Sequence, residues 1–191
     1  MAGKQARLIS SSELQMALRE ARRDRYPLRD RAIILLSAKA GLRAGEIANL
    51  TWSMVLTASG AVGHHIALTD RAAKKRSGRT IPMHPDIRNV LVALRRKAKD
   101  GAYVIRSERG EHLRPTSVVN WFASLYSRIG LEGCSSHSGR RSFVTRAARL
   151  ISRVGGSLRD VQQLAGHKSL NHTQCYIEGD STAKRRVVAL L

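Results

Sequence analysis

The chain has 191 residues, of which 42% are hydrophobic, so it can bury a real core as a domain of ordinary size. Its 34 Lys and Arg residues against 14 Asp and Glu residues give a net charge of +20. This charge is best tolerated beside a polyanion, so nucleic acid is the first partner to consider and an anionic membrane surface the second. The absence of a long apolar run or a signal-type N-terminus predicts a soluble, cytoplasmic protein.

The first half of the chain predicts three helices followed by a hairpin. Residues 10–26 open with Ser10 and Glu13, the spacing of a capping box, and continue with apolar residues at helical intervals. A second helix is predicted over 30–39, ending at Gly41, and a short third helix in "RAGEIANLTW". Further on, "AVGHHIAL" and "RTIPM" predict two short antiparallel strands that flank a basic turn, "TDRAAKKRSG".

The second half of the chain is predicted to be helical. Helical periodicity occurs at residues 86–98, 115–129, 137–151 and 158–166. Pro115 suits the first turn of its helix, because proline lacks the N–H that would be unsatisfied there. The predicted fold class is therefore α+β, a mainly helical domain with a small antiparallel sheet.

The cysteines and histidines do not predict a disulfide framework or a metal site. Cys134 and Cys175 have no C-x-x-C spacing, which suits reduced thiols in the cytosol. His64 and His65 are adjacent in a predicted strand and therefore point apart, and His167 and His172 are spaced poorly for one helix face. We therefore expect neither a metal nor a cofactor.

Two short patterns have the chemistry needed to bind an anion. His137 and Arg140 are three residues apart in a predicted helix, and two such groups on one face are stable together when both face an anion. Arg43 lies near the start of a short helix, where backbone N–H groups favour anions, and Glu46 follows three residues later. Taken alone, each pattern also fits a solvated basic surface or an ordinary ion pair.

The combination of motifs resembles the catalytic domain of the tyrosine recombinases, the phage integrase family. The segments "GLRAGEIANLTW", "KKRSGRTIP", "HSGRRSFVT" and "LAGHKSLNHTQCY" hold, in this order, an arginine, a hairpin lysine, a histidine with an arginine, and a histidine with a tyrosine. The resemblance covers residues 10–180, preceded by a basic segment, 1–9, and followed by a tail, 181–191. It implies a site-specific recombinase or integrase that cleaves and rejoins DNA through a 3′-phosphotyrosine.

The resemblance also implies a role for each matching residue. Tyr176 is the expected nucleophile, His137 assists its loss of a proton, and His167 donates a hydrogen bond to the phosphate. Arg43 and Arg140 are expected to clamp the non-bridging oxygens, which a planar guanidinium can do and a lysine cannot. The supporting acid is Glu46, and the general acid for the leaving 5′-oxygen is Lys74, with Lys75 as the alternative. The residues expected to contact DNA are Lys74, Lys75, Arg76, Arg79 and Arg141.

The resemblance carries expectations about partners as well. It implies double-stranded DNA, a homodimer or homotetramer on that DNA, accessory DNA-bending proteins, and no need for ATP or a metal. On DNA the protein would be associated with the nucleoid. The apolar tail is expected to dock on a neighbouring protomer. Two alternatives are a regulator that binds DNA without cutting it and a type IB topoisomerase; the complete residue set disfavours the first and the short tail the second.

Three departures from the family pattern are visible. Gly139 replaces a leucine that usually precedes the second arginine, and we expect only local repacking there. Met54 stands where the family usually has an aspartate. Most relatives also carry an N-terminal helical domain, whereas this chain begins almost directly with the catalytic domain. The initial Met1 favours a naturally short recombinase over a fragment.

Overall fold

The computed structural model describes residues 6–70, 72–73, 78–97, 101–108, 110, 112–174 and 188–189. Within them the chain forms eight α-helices and one two-stranded sheet. The first half contains α1 (Ser11–Ala21), α2 (Pro27–Ala40), α3 (Ala44–Ala48), a 3₁₀ helix (Trp52–Met54), β1 (His65–Leu68) and β2 (Arg79–Pro82). The second half contains α4 (Pro85–Lys97), α5 (Pro115–Arg128), α6 (Ser138–Leu150), a second 3₁₀ helix (Ile151–Val154), α7 (Leu158–Ala165) and α8 (Leu170–Gln174). The predicted α+β fold is confirmed.

Helix α2 is the centre of the domain. Its sequence, "PLRDRAIILLSAKA", is apolar on nearly all faces, which is typical of a helix surrounded by others. It packs against α1, α4 and α6, and Ile33 and Leu36 have no exposed surface. The helix begins at Pro27, three residues before the predicted start, because proline at the first position supplies a preset φ angle. Its end at Gly41 is confirmed.

Local signals fixed several other elements. The capping box of α1 is present: the Glu13 backbone N–H donates to Ser10 Oγ at 3.2 Å, and the Ser10 N–H donates to Glu13 Oε2 at 2.8 Å. Strands β1 and β2 pair antiparallel, with His65 opposite Pro82 and Leu68 opposite Arg79. A lone two-stranded sheet is marginal in water, and this one is stabilised by burying Ile66, Leu68 and Ile81 in the core.

Helices α6 and α7 form a smaller apolar cluster around Val144, Val161 and Ala165. Phe143, Ile151 and Leu158 pack against it from the side. This cluster places the C-terminal end of α7 beside α6, close to the end of α2. None of the described helices has the length and hydrophobicity required to cross a bilayer.

Candidate active site

Arg140 lies in the first turn of α6 and joins two helix ends. Its side chain is buried, with 4% of the residue exposed. One terminal nitrogen, Nη1, donates to the carbonyl oxygen of Gly41 after α2, and Nη2 donates to the carbonyl oxygen of Ala165 at the end of α7, 2.7 Å away. The C-terminal carbonyls of a helix carry partial negative charge, which favours a cation at this position. Arg140 therefore ties the "GLR" segment to the "LAGH" segment.

Gly41 is required by this arrangement. Its φ of 66° lies in the left-handed region, where residues with a side chain are strained. A Cβ at this position would also collide with the ring of Phe143, which lies on α6 one turn after Arg140. The glycine thus lets α6 approach the end of α2 closely enough for Arg140 to reach the Gly41 carbonyl.

Arg43 and Arg79 share one buried carboxylate, that of Glu46. Arg43 caps α3 and donates to Glu46 Oε1 from Nη1 at 2.8 Å and to Oε2 from its backbone N–H at 2.9 Å. Arg79 donates to the same two oxygens at 2.9 and 3.1 Å, and its Nε donates to the carbonyl oxygen of Leu164 at 2.9 Å. Only 1% of the Glu46 side chain is exposed, against 24% for Arg43 and 7% for Arg79. Arg43 is therefore the more accessible of the two guanidiniums.

The environment of Glu46 keeps this carboxylate ionised. Burial alone would raise its pKa, but the hydrogen bond and charge of Arg79, together with the backbone N–H and charge of Arg43, hold the pKa below its usual value. A buried carboxylate with two cationic partners is stable as long as both remain. Glu46 therefore holds both guanidiniums, and the supporting role in catalysis expected for it stays a prediction.

His167 follows α7 and is neutral at physiological pH. Burial, and then the nearby charges of Arg140 and Arg43, lower the pKa of its imidazole to about 4. Its Nδ1 lies 3.0 Å from the hydroxyl oxygen of Thr173, a residue of α8 with no exposed surface. Sequence reasoning missed Thr173, because a threonine in the polar "NHTQ" stretch has no pattern of burial around it.

His137 and Arg141 lie at the N-terminal end of α6, on either side of Arg140 in the sequence. His137 is exposed and stands at the N-cap of α6, one residue before the helix rather than within it. Its carbonyl oxygen accepts the backbone N–H of Arg141 at 2.8 Å. Arg141 is half-buried and donates from its guanidinium to the carbonyl oxygen of Ala6.

Several predicted site residues lie outside the described residues: the nucleophile, the two candidate general acids and one DNA contact, namely Tyr176, Lys74, Lys75 and Arg76. The residues that the structure brings together are Arg43, Glu46, Arg79, Arg140 and His167. An open groove adjoins this cluster and is lined by Gly78, Arg79, Arg159, Gln162, Gln163, Gly166, His167 and Lys168.

The fold and the site define a catalytic domain of the tyrosine recombinase type. The chain belongs to the phage integrase family, whose sequence profile matches residues 7–182. It is 33% identical over 153 residues to tyrosine recombinase XerA of Pyrococcus furiosus, an alignment that covers 78% of this chain and 50% of the relative. It is 30% identical over 154 residues to tyrosine recombinase XerC of Rickettsia canadensis, covering 78% and 47%. The chain thus spans about half the length of the curated relatives it matches.

Solved structures have the same fold. The integrase of transposon Tn1549 in complex with circular intermediate DNA superposes with a TM-score of 0.77 at 16% identity, covering 100% of this chain and 69% of that one. The crystal structure of XerA recombinase gives a TM-score of 0.72 at 24% identity, covering 100% and 65%. At these identities the likeness concerns the fold.

Proposed function

We propose that this chain is the catalytic domain of a site-specific recombinase that cleaves and rejoins duplex DNA through a 3′-phosphotyrosine. One observation carries the proposal: Arg43, Arg140 and His167, from three separate segments, are linked to one another through Glu46, Arg79 and the end of α7. A set of two guanidiniums and a neutral imidazole suits a phosphodiester, which is anionic and gains charge as it is attacked. The net charge of +20 provides long-range attraction to DNA.

In the proposed reaction, the guanidiniums stabilise charge where it develops. Attack on phosphorus gives a pentacoordinate transition state with added charge on the non-bridging oxygens. Arg43 and Arg140 contact those oxygens, and their anchors on Glu46 and on backbone carbonyls hold them in position before the substrate arrives. Because the pKa of His167 is about 4, this residue donates a hydrogen bond as a neutral imidazole.

The proposed nucleophile is Tyr176, assigned by resemblance to the family. Thr173 supports this assignment, since it lies three residues earlier, is buried, and bonds to His167. A tyrosine hydroxyl has an ordinary pKa of about 10 and needs help to lose its proton, a role proposed for His137. Lys74, or Lys75 in its place, protonates the leaving 5′-oxygen.

The proposed setting is the nucleoid of a cell, on double-stranded DNA. Cutting and exchanging two duplexes requires copies of the catalytic domain on each, so we propose a homodimer that assembles into a homotetramer. Accessory DNA-bending proteins and the docking of the tail on a neighbouring protomer belong to the same proposal.

The central test is covalent capture of DNA. A suicide substrate has a nick close to the cleavage site, so that the short fragment with the free 5′-hydroxyl diffuses away after cleavage. It should trap the full chain as a DNA adduct that survives a denaturing gel. Tyr176→Phe removes only the attacking oxygen, so it should abolish the adduct and leave duplex binding unchanged. Tyr103→Phe, which removes another tyrosine hydroxyl, is the matched control and should retain the adduct.

The outcomes separate the alternatives. No adduct from the wild-type chain on any site-containing substrate would favour a regulator that does not cut. Relaxation of supercoiled DNA without a specific site would favour a topoisomerase. An adduct that persists in Tyr176→Phe would exclude Tyr176 as the nucleophile.

A further inference from the structure

Arg79 donates three hydrogen bonds to two described residues, Glu46 and Leu164. It is the first residue of β2, and its guanidinium makes a two-pronged contact with Glu46 and a third hydrogen bond with the Leu164 carbonyl. A planar guanidinium opposite a carboxylate in this geometry is strongly oriented. The Glu46 carboxylate opposes the charge of Arg79, whereas the described acceptors of Arg140 are uncharged carbonyl oxygens, so Arg79 has less net charge to offer a DNA phosphate. These contacts favour an internal role over the DNA contact predicted from the sequence.

The surroundings of Arg79 are shaped to receive it. Gly166 lies against its side chain: a Cβ there would be 2.8 Å from Arg79 Nη1 and 3.0 Å from Cδ. Gly166 has a φ of 62° and ends α7, so glycine is favoured by the backbone as well as by the contact. At the neck of the basic turn, the Gly78 N–H donates to Asp70 Oδ1 at 2.9 Å. This hydrogen bond fixes the backbone at Gly78, the residue directly before Arg79.

The partners of Arg79 lead directly to the two sides of the site. Glu46 also orients Arg43, through a side-chain and a backbone hydrogen bond. Leu164 lies three residues before His167, on the segment that Arg140 also holds through Ala165. Arg79 and Arg140 thus make parallel links between the "GLR" region and the end of α7, one through a carboxylate and one through a carbonyl.

We propose that Arg79 is a positioning residue for DNA cleavage, which fixes Arg43 relative to His167 by bridging Glu46 and the Leu164 carbonyl, and that it does not bind the DNA backbone. This inference rests on the proposed function. Without Arg79, the buried Glu46 would have Arg43 as its remaining cationic partner in the described structure, and Arg43 would be drawn toward the carboxylate and away from the phosphate. The link between Glu46 and the turn before His167 would also be lost.

The test separates positioning from DNA binding with three variants of the full chain. Arg79→Gln removes both the positive charge and the bidentate contact with Glu46. Arg79→Lys keeps the charge and removes the bidentate contact. Arg159→Gln is the matched control, because Arg159 is an exposed arginine that lines the same groove and makes no side-chain hydrogen bond to a described residue. Duplex affinity is measured at several salt concentrations, and single-turnover cleavage of the suicide substrate is measured at saturating protein.

Positioning predicts a split between binding and cleavage. Both Arg79 variants should keep the affinity and the salt slope of the wild type, while cleavage falls by about 10²-fold, the usual cost of a misplaced catalytic group. Arg159→Gln should cleave within about threefold of the wild type at saturation. If the Arg79 variants instead cleave normally at saturation and lose about one unit of the log–log salt slope, Arg79 contacts phosphate and the proposal is wrong.

A second readout needs no activity. NMR titration of the His167 imidazole in the absence of DNA should give a higher pKa in both Arg79 variants than in the wild type, and no change in Arg159→Gln. Because Arg79→Lys keeps the positive charge, a higher His167 pKa in this variant would show that the arrangement of groups around His167 has changed. If the wild type cleaves no DNA, the proposed function fails while this titration still decides the role of Arg79. An unchanged His167 pKa in folded Arg79→Lys would overturn the proposal. If Arg79→Gln does not fold, the result for Arg79→Lys alone decides the question.

Discussion

At the scale of single residues, the site separates charges that are fixed from one group that is kept neutral. The fixed charges are the guanidiniums of Arg43 and Arg140, because arginine is not deprotonated in proteins. His167 beside them has a pKa lowered to about 4, because burial and their positive charge both oppose its protonation. In the proposed reaction, charge complementarity to phosphate and hydrogen-bond donation from a neutral ring are thus divided between different side chains.

Replacing either of the arginines proposed to contact the phosphate by lysine should remove most cleavage. In Arg43→Lys a single ammonium cannot hold Glu46 and a phosphate oxygen in the geometry of a fork, and in Arg140→Lys it cannot span the Gly41 and Ala165 carbonyls. We expect single-turnover rates about 10²–10³ lower, the usual effect of losing a preorganised donor. Arg153→Lys, at an exposed arginine, serves as the control. Rates within about threefold of the wild type would restrict Arg43 and Arg140 to DNA affinity.

The imidazole of His167 should resist protonation between pH 7 and pH 5. An ordinary histidine titrates near pH 6.5, so across the window from about 6.5 to about 4 the unfolded chain binds a proton that the folded chain does not. The free energy of unfolding should therefore decrease as pH falls through this window. Above the window, His167 should contribute nothing to the pH dependence of this free energy. NMR titration gives the midpoint, and His167→Asn should flatten this part of the stability profile. A midpoint near 6.5 would contradict the expected environment.

At the scale of elements, the close packing of α2 against α6 determines how deeply Arg140 is buried. Gly139 lies against α2: a Cβ there would be 2.5 Å from Ser37 Oγ and 3.3 Å from the Ala38 backbone nitrogen. Ser37 is 1% exposed, and its hydroxyl has no hydrogen-bond partner among the described residues. The glycine that departs from the family pattern is thus matched to a close approach of these two helices.

Gly139→Ala should therefore destabilise the fold by about 1–3 kcal/mol, as overpacking of a core typically does. Ser37→Ala removes the nearest atom, so the double variant should recover part of the loss, and urea unfolding of the four proteins measures the coupling. Gly45→Ala is the control, because a Cβ there would meet no atom within 4 Å. A Gly139→Ala protein as stable as the wild type would mean that α2 and α6 separate at no cost.

Sequence reasoning succeeded where the cause was local. The capping pair Ser10 and Glu13, the stop at Gly41 and the two strands around the basic turn follow from residues close together in the chain. It did not predict that Arg79 donates to Glu46, because this partner is 33 residues away in the chain. Local spacing identifies an arginine, but a contact between distant segments decides whether it faces solvent or carboxylate.

At the scale of the whole molecule, the tail links one chain to another in the proposed assembly. Val188, one of the two tail residues that the structure describes, is 69% exposed in the single chain. Leu190, Leu191 and Val187 lie outside the described residues. Burying an aliphatic side chain contributes up to about 1.5–3 kcal/mol, enough to matter in a weak assembly.

Deleting residues 183–191 should leave binding to one half-site unchanged and weaken dimers and tetramers on full sites. Band-shift titrations on half and full sites measure this. A variant with Val188→Ser and Leu191→Ser is the matched control for loss of the three basic residues Lys184, Arg185 and Arg186, because it keeps them. An unaltered full-site pattern after both changes would exclude docking between protomers.

The anchors of Arg140 are encoded in the main chain, whereas the anchor shared by Arg79 and Arg43 is encoded in a side chain. Every residue type has a carbonyl oxygen, so no substitution at position 165 can delete that acceptor, although a change of backbone shape at Gly41 can move the other. One codon change at Glu46, by contrast, removes the acceptor of two arginines at once. Tolerance to mutation is therefore uneven across the site. As mutations accumulate, the contacts of Arg43 and Arg79 with Glu46 should be lost before the contacts of Arg140 with backbone carbonyls.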